Sequence, residues 1–282
     1  MVEPDDVGSW RPSEESIAAV SLLLEPWRRM CAPRMVNAER IPAQGPLLFV
    51  GNHTLYGLLD APLLMLEVHE HSGHYLRPLA DHAHFTLPGW RDVVTTMGGV
   101  DGTRENCTAL LEAGETVLVF PGGAREVAKR RGEKYKLVWG DRVGFARMAL
   151  QHGCPVVPFA SVGIDDAFDI RWDAEDLKRS ALGKVLIELG LREDLMLPVT
   201  SGLGGLPIPR PVRIYFGFGE PLDPADFEEG SLDDRAWALR EATKRAIEGQ
   251  LEELFETRSN DPHRSLLVRL ARAALDKAAG WS

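Results

Sequence analysis

Short apolar runs alternate with segments of helical period from about residue 45 onward, and no other feature constrains the fold as strongly. PLLFVG (46–51), TVLVF (116–120) and PVVPFASV (155–162) read as buried strands, and HYLRPLA (74–80) and VRIYFGFG (212–219) as two more strands. Between them, residues 60–70, 87–97, 103–113 and 142–152 read as helices, with Thr103 as an N-cap and Gly153 as a C-terminal stop. A helix around 174–191 precedes SGLGGLPIPRP (201–211), whose Gly and Pro content predicts a loop. Helices near 232–256 and 263–279 follow the last strand. Strands separated by helices imply an α/β sheet with covered faces. No internal repeat or low-complexity tract interrupts the pattern, which argues for a single domain with helical decorations.

The first 32 residues stand apart. Residues 1–12 read as a loose arm, and 13–31 as an amphipathic helix with Ile17, Val20, Leu24 and Trp27 on one face. Glu14 and Glu15 in its first turn and Arg28 and Arg29 in its last suit the helix dipole, and Pro33 stops it. Two readings of the apolar face compete: contact with a lipid surface, where Trp27 suits the interface and Arg28, Arg29 and Arg34 meet anionic headgroups, or packing on the α/β core. The longest apolar runs are about half of a membrane span, so any meeting with lipid is from one side. A net charge of −10 argues against a general nucleic-acid binder. Three cysteines far apart, Cys31, Cys107 and Cys154, suggest a reduced, cytoplasmic protein, and the polar, acidic start is unlike a secretory signal.

Three segments carry chemistry. Asn52-His53 ends the first apolar run, and Asp60 opens the next helix. Functional residues gather at the carboxyl ends of strands in α/β folds. A histidine there can take the proton of an alcohol that attacks an acyl carbonyl, and a carboxylate on its other nitrogen would fix the tautomer. A straight helix over 53–60 would hold the pair about 10 Å apart. Pairing therefore needs a turn, for which Tyr56-Gly57 is available; the competing reading is a surface histidine beside a capping aspartate. The second segment, Phe120-Pro121-Gly122-Gly123-Ala124-Arg125-Glu126, joins two glycines that let backbone N–H groups approach an anion to a cation able to hold phosphate or carboxylate. In the third, Gly98 to Cys107, glycines lead into a helix start whose dipole disfavours the cation Arg104, which hints at a ligand-facing role.

Together these segments resemble the glycerolipid acyltransferase superfamily, which orders an Asn-His-x4-Asp block, a Gly-rich block with Arg, a Phe-Pro-Glu-Gly-Thr-Arg block and a strand with a Val-Pro core. Here the blocks stand in that order at His53/Asp60, Gly99/Arg104, Phe120–Arg125 and Val156–Pro158, across roughly residues 35–220. Ala80-Asp81-His82, the Arg-Glu-x-Cys segment at 104–107, Phe-Pro-Gly-Gly-x-Arg-Glu at 120–126 and Tyr135-Lys-Leu-Val-Trp-Gly140 are similar to the diacylglycerol acyltransferase-like branch that includes plant phytyl ester synthases. Two departures stand out. The His-to-Asp spacing is x6, and Gly122 occupies the place of the third block's Glu.

The resemblance implies an α/β fold with a mixed, largely parallel sheet flanked by helices. It also implies an O-acyltransferase in which His53 is the general base with Asp60 as partner, while Arg104, Gly122, Gly123, Arg125 and Glu126 bind acyl donor or acceptor. The donor is then an acyl thioester, acyl-CoA or acyl carrier protein, and the acceptor a neutral or hydrophobic lipid alcohol. No metal and no cofactor are expected beyond that co-substrate. Residues 1–32 form the arm and amphipathic helix, 33–225 the acyltransferase domain, and 226–282 C-terminal helices packed on the same domain. The expected location is peripheral, on the cytoplasmic face of a membrane. A lipid-binding or degenerate acyltransferase-like protein, or a thioesterase or lipid hydrolase, remains the alternative. A metal site among His69, His71, His74, His82 and His84 matches no standard ligand spacing.

Overall fold

A computed structural model of the chain describes residues 11–189 and 196–278. The expected arm at 1–12 lies outside these residues except for its last two. Nine strands are described: β1 (Arg34–Val36), β2 (Leu47–Gly51), β3 (Leu76–Ala80), β4 (Val100–Asp101), β5 (Thr116–Val119), β6 (Val156–Val162), β7 (Asp169–Trp172), β8 (Val199–Ser201) and β9 (Tyr215–Phe218). Around them stand α1 (Glu14–Cys31), α2 (Ala61–Ser72), α3 (Ala83–Thr86), α4 (Trp90–Thr96), α5 (Arg104–Glu112), α6 (Gly123–Val127), α7 (Gly144–His152), α8 (Ala174–Arg179), α9 (Ala181–Glu188), α10 (Leu232–Ser259) and α11 (Leu266–Ala278).

Seven strands form one sheet in the order β1-β9-β6-β2-β5-β3-β4, and β7 with β8 forms a separate antiparallel pair. Every neighbouring pair in the large sheet is parallel except β6–β9. The sheet is therefore mixed and largely parallel. Its central strands read as unbroken apolar runs because both faces are covered. On β2, Leu48 and Val50 join Val117, Val156, α5, α7 and α10 on one side, while Leu47 and Phe49 join Val157, Phe159 and α2 on the other. All four are fully buried, and each contributes about 1.5–3 kcal/mol by leaving water. The inner side chains of α10, including Leu239, Ile247 and Leu254, belong to that same core.

Helix α1 settles its competing readings. Ser13 caps it by accepting the N–H of Ser16, and its predicted apolar face turns inward. Ile17 is buried, Leu24 and Trp27 pack on the core beside α2, and Trp27 Nε1 donates to the Leu59 carbonyl at 2.7 Å. Arg28 pairs with Glu67 at 2.7 Å and Glu70 at 2.5 Å, and Arg29 pairs with Glu25. The apolar face and Arg28 are thus engaged within the protein and not free for lipid, while Arg29 stays exposed beside Glu25. The opposite side leaves Leu22 77% and Leu23 78% exposed. One further difference concerns 174–191: Ser180 adopts extended backbone (φ −72°, ψ 155°) and separates α8 from α9, capping α9 by accepting the Gly183 N–H through its hydroxyl.

Candidate active site

β2, β5 and β6 run parallel, so the loops that follow them emerge at one edge of the sheet. The loop after β2 is tied down at nearly every step. Asn52 prolongs the pairing with β6 through its side chain: Nδ2 donates to the Ser161 carbonyl (3.0 Å) and Oδ1 accepts the Ser161 N–H (2.7 Å). The Leu55 N–H donates to Asp165 Oδ1 at 2.7 Å, and the Tyr56 N–H to the Val127 carbonyl at 3.3 Å. Tyr56 and Gly57 both take left-handed backbone (φ 66° and 64°), which makes the expected turn.

That turn positions His53. The imidazole stacks on the Phe120 ring, with centroids 3.9 Å apart and planes 8° from parallel. Gly57 backs its edge closely: a Cβ there would lie 2.2 Å from His53 Cε1, so only glycine fits both the φ and the space. The His53 backbone N–H donates to Glu126 Oε1 at 3.2 Å. Burial, then the charges of Lys129 and His84, lower the imidazole pKa to about 3, so the ring is neutral at ordinary pH. Nδ1 is buried without a hydrogen-bond partner.

Asp60 is not that partner. Its carboxylate is buried and accepts the hydroxyls of Thr54 (2.7 Å, Oδ1) and Ser161 (2.7 Å, Oδ2), and among the described residues it makes no bond to His53. The two extra residues of the spacing form a turn that brings Gly57, not Asp60, to the ring. Desolvation raises the Asp60 pKa, against the two hydroxyl bonds that lower it.

Glu126 is fully buried on α6, with burial raising its pKa to about 7 against the opposing pull of Lys129. Its carboxylate fills the place of a side chain at residue 122: a Cβ on Gly122 would stand 1.8 Å from Glu126 Oε2. Gly123 takes φ 49° next to Arg142, whose Nη1 pins the turn by donating to the carbonyls of Pro121 (2.9 Å) and Gly122 (2.6 Å). Arg125 is held by Glu133 through two bonds of 3.0 and 2.6 Å, so its guanidinium is framework for the loop. Arg104 opens α5 beyond β4, at the far edge of the sheet from β2; it is exposed and makes no ion pair among the described residues. The structure thus joins His53, Gly122, Gly123 and Glu126 in one place and leaves Arg104 and the Asp60 carboxylate out of it.

Phe120, Gly57, Lys129, Asp165 and Arg142 complete the surroundings; Gly57 stood in the expected turn, and the last three were not singled out from sequence. Phe120 stood within a recognised block; Lys129 and Asp165 carry no local signal. They are buried together, Lys129 Nζ 3.5 Å from Asp165 Oδ2. The histidine-rich stretch disperses: His74 faces the Pro42 carbonyl and Thr116, His82 lies 2.7 Å from Asp101, and His84 accepts from Trp90.

Residues 32–162 match the family described as Acyltransferase. Over 263 residues the chain is 34% identical to phytyl ester synthase 2, chloroplastic, of Arabidopsis thaliana, covering 87% of this chain and 37% of that protein. Over 214 residues it is 30% identical to the Homo sapiens DGAT1/2-independent enzyme synthesizing storage lipids, covering 76% and 59%. The chain therefore spans little more than a third of the phytyl ester synthase. The crystal structure of the 1-acyl-sn-glycerophosphate acyltransferase of Thermotoga maritima superposes over 82% of this chain and 81% of its own, with a TM-score of 0.47 and 19% identity.

Proposed function

The chain belongs to the Acyltransferase family through residues 32–162, and from that premise we propose that it is an O-acyltransferase carrying a fatty acyl group from a thioester to a lipid alcohol, with His53 as general base. The observation that carries this reading is the imidazole itself, neutral and held against Phe120 and Gly57 at the edge where three strand-end loops meet. With Nδ1 buried, Nε2 is the nitrogen assigned to the acceptor hydroxyl. As the hydroxyl oxygen attacks the thioester carbonyl, its proton passes to Nε2. The C–S bond then breaks, and the leaving thiolate takes the proton back. No covalent acyl-enzyme is involved.

Acyl-CoA or acyl carrier protein serves as donor, with exposed Arg104 the cation proposed for its phosphates. The acceptor is a neutral lipid alcohol, in keeping with the names of the similar phytyl ester synthase and storage-lipid enzyme. Both substrates favour a lipid surface, and the outward Leu22 and Leu23 of α1 are the side chains proposed to touch it. No helix among the described residues is long and apolar enough to cross a membrane.

Incubation with acyl-CoA and a panel of lipid alcohols, with products identified by mass, tests the reaction. An ester product is expected; thioester loss without alcohol would instead mark a hydrolase. His53→Ala should lower turnover by about 10²–10⁴ with the circular dichroism spectrum unchanged, and near-normal turnover would overturn the assignment.

A further inference from the structure

A base whose pKa is held far below neutrality is a weak one unless a negative charge comes forward as it takes up a proton. Asp60 is committed to Thr54 and Ser161. Buried atoms without a hydrogen bond include His53 Nδ1 and Glu126 Oε2, and Lys129, the Trp139 indole and the His53 backbone N–H all act on the Glu126 carboxylate. Buried polar atoms are nearly always satisfied, so complementary orphans mark a place where a bond forms in another state of the site. His53 and Glu126 are already joined through the main chain, since Glu126 Oε1 accepts the His53 backbone N–H. The carboxylate also occupies the space of a residue-122 side chain, so the glycine at 122 and the glutamate at 126 are two halves of one arrangement.

We propose that Glu126 is the carboxylate partner of His53, a positioning residue whose Oε2 accepts the Nδ1–H of the imidazole as the ring takes up charge during acyl transfer. The proposal rests on the acyl-transfer reading above. The groups that face Glu126 are the His53 loop, Lys129 and the Trp139 indole, which favour its ionised form, and Asp165, which opposes it. Lys129 is shared between the two carboxylates, 3.5 Å from Asp165 and close enough to Glu126 to favour its charge. Burial raises the Glu126 pKa to about 7, which leaves the carboxylate able to carry charge above that pH.

The test is a pH series of kcat and thioester KM for the full chain and its Glu126→Gln, Glu126→Asp, Asp60→Asn and His53→Ala variants, with acyl-CoA and the best lipid alcohol. Glutamine keeps an oxygen for the His53 N–H and most of the packing but removes the charge. Glu126→Gln should lower kcat at least about tenfold, leave KM unchanged, and abolish the acidic limb expected of the wild type near pH 7. Glu126→Asp, which keeps a charge, should restore that limb; Asp60→Asn should not remove it. Wild-type kcat and an intact limb in Glu126→Gln, with His53→Ala inactive, would overturn the proposal alone. A fully active His53→Ala would overturn the His53 reading and this proposal with it. Should Glu126→Gln not fold, loss of the limb in Glu126→Asp would count against the proposal and its retention for it.

Discussion

Glu126 is fully buried and has a carboxylate that burial holds back from ionising, with its pKa raised to about 7. In an unfolded chain the same group ionises near its ordinary value of 4.5. A group raised on folding adds stability that is complete below the unfolded pKa and lost as pH climbs through the folded one. Between pH 4.5 and 7 the wild type should therefore lose stability that Glu126→Gln does not lose. The gap should level off above pH 7 at no more than about 3 kcal/mol. Urea unfolding of both proteins at pH 5 and pH 8 measures it, and a gap independent of pH would contradict the burial argument. Burial raises the Asp60 pKa as well, but both of its oxygens already accept hydroxyls. The histidine, the glycine pair and the glutamate were legible in the sequence because they stand in compact local motifs. The Asp60 assignment was not, because its second partner, Ser161, lies on β6 and only the folded sheet brings it there.

At the scale of elements, the buried strands β2, β5 and β6 were legible because their apolar runs have no other stable use. β4 has two residues, and β1 and β8 three each, too short for any periodicity, and they exist only because a longer neighbour supplies their hydrogen bonds. The same holds for the break at Ser180, where a side-chain cap competes with helix continuation that the apolar spacing alone favours. Helix α1 shows how an amphipathic pattern leaves its partner open: periodicity located the face but not what covers it. Its Trp27 donates to Leu59, one residue before Asp60, and so links α1 to the loop that carries His53. Trp27→Phe keeps a ring on the core and leaves the Leu59 carbonyl without its donor. It should cost about 1–3 kcal/mol, read as a lowered urea midpoint with an unchanged slope. An unaltered midpoint would show that α1 rests on the core without holding this loop.

For the molecule as a whole, the sheet is covered on both faces, while the outer side of α1 leaves Leu22 and Leu23 exposed. If that side meets lipid, Leu22→Ser with Leu23→Ser should reduce co-sedimentation with liposomes of neutral and anionic lipid severalfold and leave the thermal midpoint within about 1–2 °C. Undiminished co-sedimentation would move the lipid contact elsewhere. The place of β9 in the sheet has a consequence for synthesis. It lies between β1 and β6 and hydrogen-bonds both, although β1 comes some 180 residues before it (Arg34 pairs with Tyr215). While the chain is being made, β2, β5 and β6 can pair as soon as residue 162 is available, but the outer edge of β6 stays open until residues 215–218 emerge. An unpaired apolar edge is a template for wrong partners. A nascent chain stalled between residues 163 and 214 thus carries its most adhesive surface uncovered, and the ribosome's pace across that stretch becomes part of how much protein reaches the folded state.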